Sequence, residues 1–457
     1  MEQTKTKEKN REIDMLNGKI AGKLIMFALP LAFSTILQQL FNSADVAVVG
    51  RFAGSSALAA VGSSVALVGI FVNLITGLSV GPNAALANLI GQNKREQISA
   101  MLHTILTFGL ILGIGLMCLG FIIAKPVLVV SGTPDSVMDQ AMLYIRIYLL
   151  SIPFMLLYNF GAAALRSYGD SKRPMYYLLL AGVVNVVLNL LLVVGVHLGV
   201  EGVAIGTLAS NVLSASLVLL CLYRREDEFQ FRFENMQIRK DFLRRVLVIG
   251  VPAGIQGAIF SVSNIFIQSG INSFGEDAIA GASVGLNFEY FTYDIAAAFA
   301  QAAVTFTSQN YGAGKKKRMD RVLVDCMILS VIVAVTLGGG ANLFGPQLLH
   351  IYTTEADVIA CGTEILLYTT LTYFLCGIMD LIPGALRGMG RSGVPMILSI
   401  IGTVGTRIVW IFGLFPHHRS LSFLFISYPV SWIITIILQV ICYYFVRKKV
   451  HKTILGM

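Results

Sequence analysis

Six ionisable side chains stand inside long apolar runs of this chain: Asp45, Arg146, Glu289, Asp294, Asp380 and Arg407. A charge near the middle of a bilayer costs about 2.5–3.5 kcal/mol on insertion scales, so each needs a chemical reason to be there. Amides accompany them, namely Asn42, Asn73, Asn159, Asn185, Asn189, Asn211, Asn264 and Asn287. Asp45 lies six residues before Arg51 and Thr207 six after Glu201, which puts both roughly 9 Å from a span end at the helical rise of about 1.5 Å per residue. Asn189 and Asn185 precede His197 by eight and twelve residues, about 12 and 18 Å by the same rise. These four can meet. One carboxylate with amide and hydroxyl oxygens offers the hard ligands that a small cation such as Na⁺ prefers. The same carboxylate could bind a proton instead. The blander alternative is that Asp45 and the asparagines simply bond neighbouring helices together.

A second set, Glu289, Asp294, Asp380 and Arg407, gathers toward the C-terminus. It reads as an ion or substrate site in which Arg407 neutralises one of the acids. There is no Gly-rich loop followed by Lys-Ser/Thr, no His/Glu metalloprotease spacing and no paired-aspartate motif, so an enzyme is not expected. No cofactor is expected either, beyond a coupling ion.

Such groups need elements to hold them in lipid. Hydrophobic residues make up 56% of the 457 positions and charged residues 13%, with a mean hydropathy of +0.75. A soluble protein could not cover its surface with so few polar groups. Twelve apolar segments of spanning length are expected, near 24–49, 57–80, 98–123, 137–163, 174–195, 202–223, 246–272, 278–310, 321–343, 358–383, 394–415 and 421–446. The first apolar run is too long for a signal h-region, so no cleavable signal is expected. The six cysteines are scattered singly and read as small core residues.

Basic residues mark alternate connections. The N-terminus, 94–95, 166–173, 224–245, 315–321, 387–391 and 447–452 hold 29 of the 34 Lys and Arg residues. The positive-inside rule then puts both termini and the 224–245 connection in the cytoplasm of a bacterial-type plasma membrane. The net charge of +9 therefore reflects membrane topology, and no nucleic-acid partner is expected.

The chain is also duplicated. Ala164-Leu165-Arg166-Ser167-Tyr168-Gly169-Asp170-Ser171 returns in the second half as Ala385-Leu386-Arg387-Gly388-Met389-Gly390-Arg391-Ser392, and each copy precedes a matched Pro-Met at 174–175 and 395–396. Pro30 matches Pro252, Asn42 matches Asn264 and Gly54 matches Gly275. Six spans per half make the halves parallel repeats about an axis along the membrane normal. The expected layout is a segment 1–23, an N-lobe 24–223, a linker 224–245, a C-lobe 246–446 and a tail 447–457. Glycine pairs four apart (Gly77/Gly81, Gly109/Gly113, Gly202/Gly206, Gly281/Gly285) should let helices approach closely. Pro30, Pro153, Pro252, Pro383 and Pro429 should kink their spans.

Phe41-Asn42-Ser43-Ala44-Asp45, Val49-Gly50-Arg51-Phe52-Ala53-Gly54, Asn185-Val186-Val187-Leu188-Asn189 and the paired Ala-Leu-Arg-x-x-Gly-x-Ser segments carry a family likeness. From about Leu24 to Arg447 the chain resembles the multidrug and toxic compound extrusion (MATE) transporters, within a broader flippase superfamily. The resemblance implies an all-α polytopic membrane protein of 12 transmembrane helices, in two pseudo-symmetric six-helix bundles set as a V around a central cavity. It implies drug export in exchange for inward Na⁺ or H⁺. Asp45 falls where the family's N-lobe acid lies, and Asn185, Thr207 and Asn159 fall on its polar partners. Glu289 and Asp380 are placed like acids of its C-lobe site. The family often has Asp where this chain has Asn189, which leaves one N-lobe acid instead of two.

The expected function is therefore a monomeric secondary active antiporter in the lipid bilayer, expelling amphipathic, cationic, drug-like small molecules by alternating access. Inward movement of one cation gains about 2.3 kcal/mol per 100 mV before any concentration gradient. One rival is a lipid-linked oligosaccharide flippase of the same superfamily, which would line its cavity with cationic residues. A second is an uncoupled channel or structural membrane protein. The four intramembrane acids outnumber the two arginines, which favours cationic cargo.

Overall fold

The computed structural model describes residues 12–350 and 353–455, and the side chain of Asn287 lies outside the described residues. All regular structure among them is helical. Lipid hydrogen-bonds no backbone, so a spanning helix must satisfy its own amides internally. In chain order the helices are α1 Ile20–Val48, α2 Ser55–Leu78, α3 Val80–Gly91, α4 Arg95–Val130, α5 Asp135–Leu149, α6 Ile152–Ser167, α7 Lys172–Asn189 and α8 Val200–Tyr223. The second series is α9 Lys240–Asn272, α10 Glu276–Gly312, α11 Lys316–Leu343, α12 Gly345–Leu349, α13 Ala356–Thr369, α14 Tyr373–Gly388, α15 Gly393–Ser399, α16 Thr406–Val409 and α17 Leu421–Leu455.

Nine helical stretches among the described residues are long and apolar enough to cross a membrane, and two bent pairs bring the number to eleven. The twelfth expected span is α10, 37 residues long, whose interior Glu289 and Asp294 lower its apolarity. This is an all-α, multi-pass membrane protein.

Contacts divide the chain into two units. The first comprises Glu12 and Ile13 with Phe33–Gly250, and the second Asp14–Ala32 with Val251 onward. Within the first unit α6 packs on α4 and α8, and α2 on α5. Within the second, α14 packs on α11 and α17, and α10 on α13. The packing pattern therefore repeats as the sequence does.

Backbone conformation repeats with it. Gly54 and Gly275 adopt φ 89° and 93°, Gly169 and Gly390 φ 99° and 74°, and Asn93 and Gly314 φ 56° and 68°. All three pairs share the offset that relates Ala164 to Ala385. At Gly169 a Cβ would also fall 2.6 Å from the Ile13 carbonyl oxygen, while nothing lies within 4 Å of one at Gly390. Both Ala substitutions meet the left-handed penalty of about 1–2 kcal/mol, and only Gly169→Ala adds a clash. Thermal unfolding in detergent should therefore show Gly169→Ala lowering the midpoint more than Gly390→Ala. Equal shifts would remove the Ile13 contact from the explanation.

The glycine pairs act as close-approach points. A Cβ at Gly109 would lie 2.8 Å from the Phe160 ring and one at Gly113 2.6 Å from Pro153 Cα, so α4 rests directly on α6. A Cβ at Gly281 would lie 2.8 Å from the Val358 carbonyl oxygen, bringing α10 onto α13. One of the five prolines stands at a break in its span. Helices run on through Pro30, Pro252, Pro383 and Pro429. The chain breaks before Pro153, where α5 and α6 meet at 40°, and again between α13 and α14 at 43°, where no proline stands. There the side-chain amide of Asn342 donates to the Leu366 carbonyl at 3.3 Å and to the Thr370 hydroxyl at 2.7 Å, tying α11 to the end of α13. Cys326 and Cys376 are buried as expected, but Cys118 is exposed on α4.

Polar clusters fasten the ends of the helices. In the first unit the buried Arg225 guanidinium bonds Glu12 at 2.9 Å, also bonds Asp227, and lies 5.0 Å from the centre of the Tyr168 ring. In the second, the Met15 carbonyl accepts from Asn310 at 3.2 Å and from Arg318 at 3.1 Å.

Candidate functional site

In the first unit, α1, α7 and α8 deliver the expected cluster. The Asn189 amide donates to Asp45 Oδ1 at 2.5 Å, and the Thr207 hydroxyl donates to Oδ2 at 3.4 Å. With its amide turned to suit its neighbours, Asn185 donates to Asp45 Oδ1 at 2.7 Å and accepts from the Thr207 backbone N–H at 3.3 Å. Asn185 and Asn189 are one helical turn apart and both buried, so they present one face of α7 to the carboxylate. Three donors from two helices thus converge on a single acid.

This arrangement can exchange partners. Asn189 Oδ1 is buried and has no hydrogen-bond partner. If both amides turn over, their oxygens face the carboxylate together with the Thr207 hydroxyl, forming the hard oxygen set that suits a small cation. The residues present therefore fit either Na⁺ or a proton on Asp45. The approach of α8 depends on Gly206, where a Cβ would collide with Asn189 Oδ1. Helix α1 rests on α7 in the same way, with the Phe41 ring lying where a Cβ at Gly182 would be.

Asn159 is not brought into this cluster, and its amide donates to the Met155 carbonyl of its own helix at 2.8 Å. Asn211 likewise caps the Thr207 carbonyl at 2.9 Å. Arg146 and Asn42 are exposed. Two neighbours escaped the sequence reading. Tyr144 and Tyr148 stack at 6.2 Å on α5 and lie within electrostatic reach of Asp45.

The second unit holds its charged residues among aromatic side chains. Glu289 is 7% exposed and accepts from the Tyr373 hydroxyl at 3.2 Å. Arg407 is 6% exposed, donates to Asn264 Oδ1 at 3.1 Å, and lies 4.2 Å from the centre of the Tyr428 ring. Tyr373 and Tyr428 both meet Trp432 edge-on, at 5.3 and 5.6 Å. Asp380 lies within electrostatic reach of Arg387, Tyr293 and Cys376, Tyr293 meets Tyr373 edge-on at 6.4 Å, and Arg387 donates to Gln256 at 2.8 Å. Asp294 is half-buried on α10. Tyr373, Tyr428 and Trp432 were missed as site residues because aromatic residues are common in apolar spans. Tyr428 did have a signal, since it is the repeat counterpart of Thr207.

The MatE family profile matches residues 30–191 and 252–412. The Bacillus subtilis (strain 168) "Probable multidrug resistance protein YoeA" is 29% identical over 439 residues, covering 94% of each chain. The Shewanella oneidensis "FAD transporter" is 24% identical over 443 residues, covering 95% of this chain and 96% of its own. Among solved structures, an outward-facing multidrug resistance MATE family transporter of the MOP superfamily superposes with a TM-score of 0.88 at 20% identity, covering 97% of this chain and 99% of that one. That last likeness bears on fold.

Proposed function

The chain belongs to the MatE family, and from that membership we propose that it is a secondary active multidrug exporter working as a cation antiporter. Amphipathic cationic molecules leave as Na⁺ or H⁺ enters through the Asp45 site, and the two lobes alternate access. The observation that supports this reading best is the Asp45 carboxylate, set among Asn185, Asn189 and Thr207 inside an apolar bundle. A carboxylate held there for helix cohesion alone would need no unpartnered amide oxygen beside it. The basic connections put both termini in the cytoplasm, and the parallel repeats let one polypeptide work as a monomer.

The relative named a FAD transporter raises anionic cargo as an alternative. The excess of intramembrane acids over arginines supports cationic cargo instead. An oligosaccharide flippase would share the fold but need cationic cavity walls.

Reconstituted into liposomes, the protein should expel a fluorescent lipophilic cation when an inward Na⁺ or an inward H⁺ gradient is imposed alone, and should leave FAD in place. Efflux that ignores both gradients would remove antiport. FAD movement without cation movement would reverse the assignment of cargo.

A further inference from the structure

We propose that Arg407 is a tethered cation, filling in the second unit the place that the exchangeable cation takes in the first, so that coupling runs through Asp45 alone. The inference rests on the antiport reading above and assigns its stoichiometry.

The repeat makes the comparison possible. Helices α8 and α17 begin at Val200 and Leu421, which are equivalent positions of the two halves. Along them Ile205, Ser210, Leu217, Cys221 and Tyr223 recur at the same offset as Ile426, Ser431, Leu438, Cys442 and Tyr444. Thr207, which bonds Asp45, therefore corresponds to Tyr428, which lies against Arg407. Asn264, the hydrogen-bond acceptor of Arg407, corresponds to Asn42 on the helix that carries Asp45. Arg407 itself comes from the stretch equivalent to α7. The three helices that enclose an acid in one unit thus enclose a guanidinium in the other.

The charges follow the same division. Inside the first cluster the one formal charge is the Asp45 carboxylate, so a cation is needed to neutralise it. Inside the second, Glu289 lies within electrostatic reach of Arg407, so a fixed cation already accompanies the acid. They form no direct ion pair among the described residues. Glu289 Oε2 and Arg407 Nε are both buried without a hydrogen-bond partner, one lacking a donor and the other an acceptor. The Tyr428 face stabilises the guanidinium further, and a guanidinium stays charged at any working pH. Unlike Na⁺ or H⁺, this cation cannot leave.

The test counts exchangeable cations per full-length transporter in detergent, with radiolabelled sodium at saturation and, in sodium-free buffer, by proton uptake measured relative to Asp45→Asn. Wild type should bind one and Asp45→Asn none. Arg407→Gln, which keeps an amide for Asn264, should bind two, and adding Glu289→Gln should return the count to one. Glu289→Gln alone and Arg407→Lys should each stay at one. A count of one in folded Arg407→Gln would overturn the inference, as would a loss in Glu289→Gln alone, which needs no Arg407 variant to fold. Binding that survives Asp45→Asn would instead sink the Asp45 reading.

Discussion

Asp45→Asn should abolish gradient-driven efflux while leaving the protein in the membrane at wild-type amounts. The substitution is nearly isosteric: its amide oxygen can still accept from Asn189, now 2.5 Å from Asp45 Oδ1, while its NH2 takes the place of Oδ2 and donates to the Thr207 hydroxyl, now 3.4 Å away. Packing of α1 against α7 and α8 is therefore kept, and only the charge is lost. In the proposed antiport that charge links the ion to the cargo. For one cation entering per monovalent cation leaving, the membrane potential cancels and the ion ratio drives transport. A tenfold ion gradient is then worth about 1.4 kcal/mol, which supports a cargo gradient of about tenfold by the same relation. In proteoliposomes the variant's cargo gradient should collapse to that of protein-free liposomes, with thermal unfolding within a few degrees of wild type. Wild-type efflux from Asp45→Asn would take the residue out of the mechanism, whatever else the cluster does.

Much of this was legible in the sequence for a physical reason. Lipid forces backbone amides into helices, so apolar length maps directly onto spans. The cost of an intramembrane charge singles out Asp45 before any coordinates exist, and counting the helical rise places Thr207, Asn185 and Asn189 at compatible depths. What depth cannot give is the angular position around each helix. Asn159 has a suitable residue type but bonds its own helix through the Met155 carbonyl. Glu289 on α10 and Asp380 on α14 are both shielded at least in part from solvent, yet one meets Tyr373 and the other lies within electrostatic reach of Arg387. The α13–α14 break carries no proline to announce it, and the bonds that Asn342 makes there depend on packing between helices. The duplication did carry angular information, because a residue's counterpart in the other half shares its face, as Thr207 and Tyr428 do.

Gly206→Ala should cost both stability and export, for separable reasons. Its methyl group would collide with Asn189 Oδ1 and sit 3.5 Å from the Asn185 carbonyl oxygen, so either α8 retreats or the Asn189 amide swings away from Asp45. Overpacking of this kind costs about 1–3 kcal/mol, which should lower the thermal midpoint by several degrees. Losing the 2.5 Å bond between Asn189 and Asp45 removes a donor from the coupling carboxylate, so efflux should fall at least tenfold. Alanine at Gly115, where nothing lies within 4 Å of a Cβ, should change neither quantity. The double variant Gly206→Ala/Asn189→Ala separates the two effects: deleting the Asn189 amide makes room for the methyl and should restore the midpoint, while export stays low. If the double variant regains export as well, Asn189 is only a spacer between α7 and α8, and the coupling site reduces to Asp45, Asn185 and Thr207.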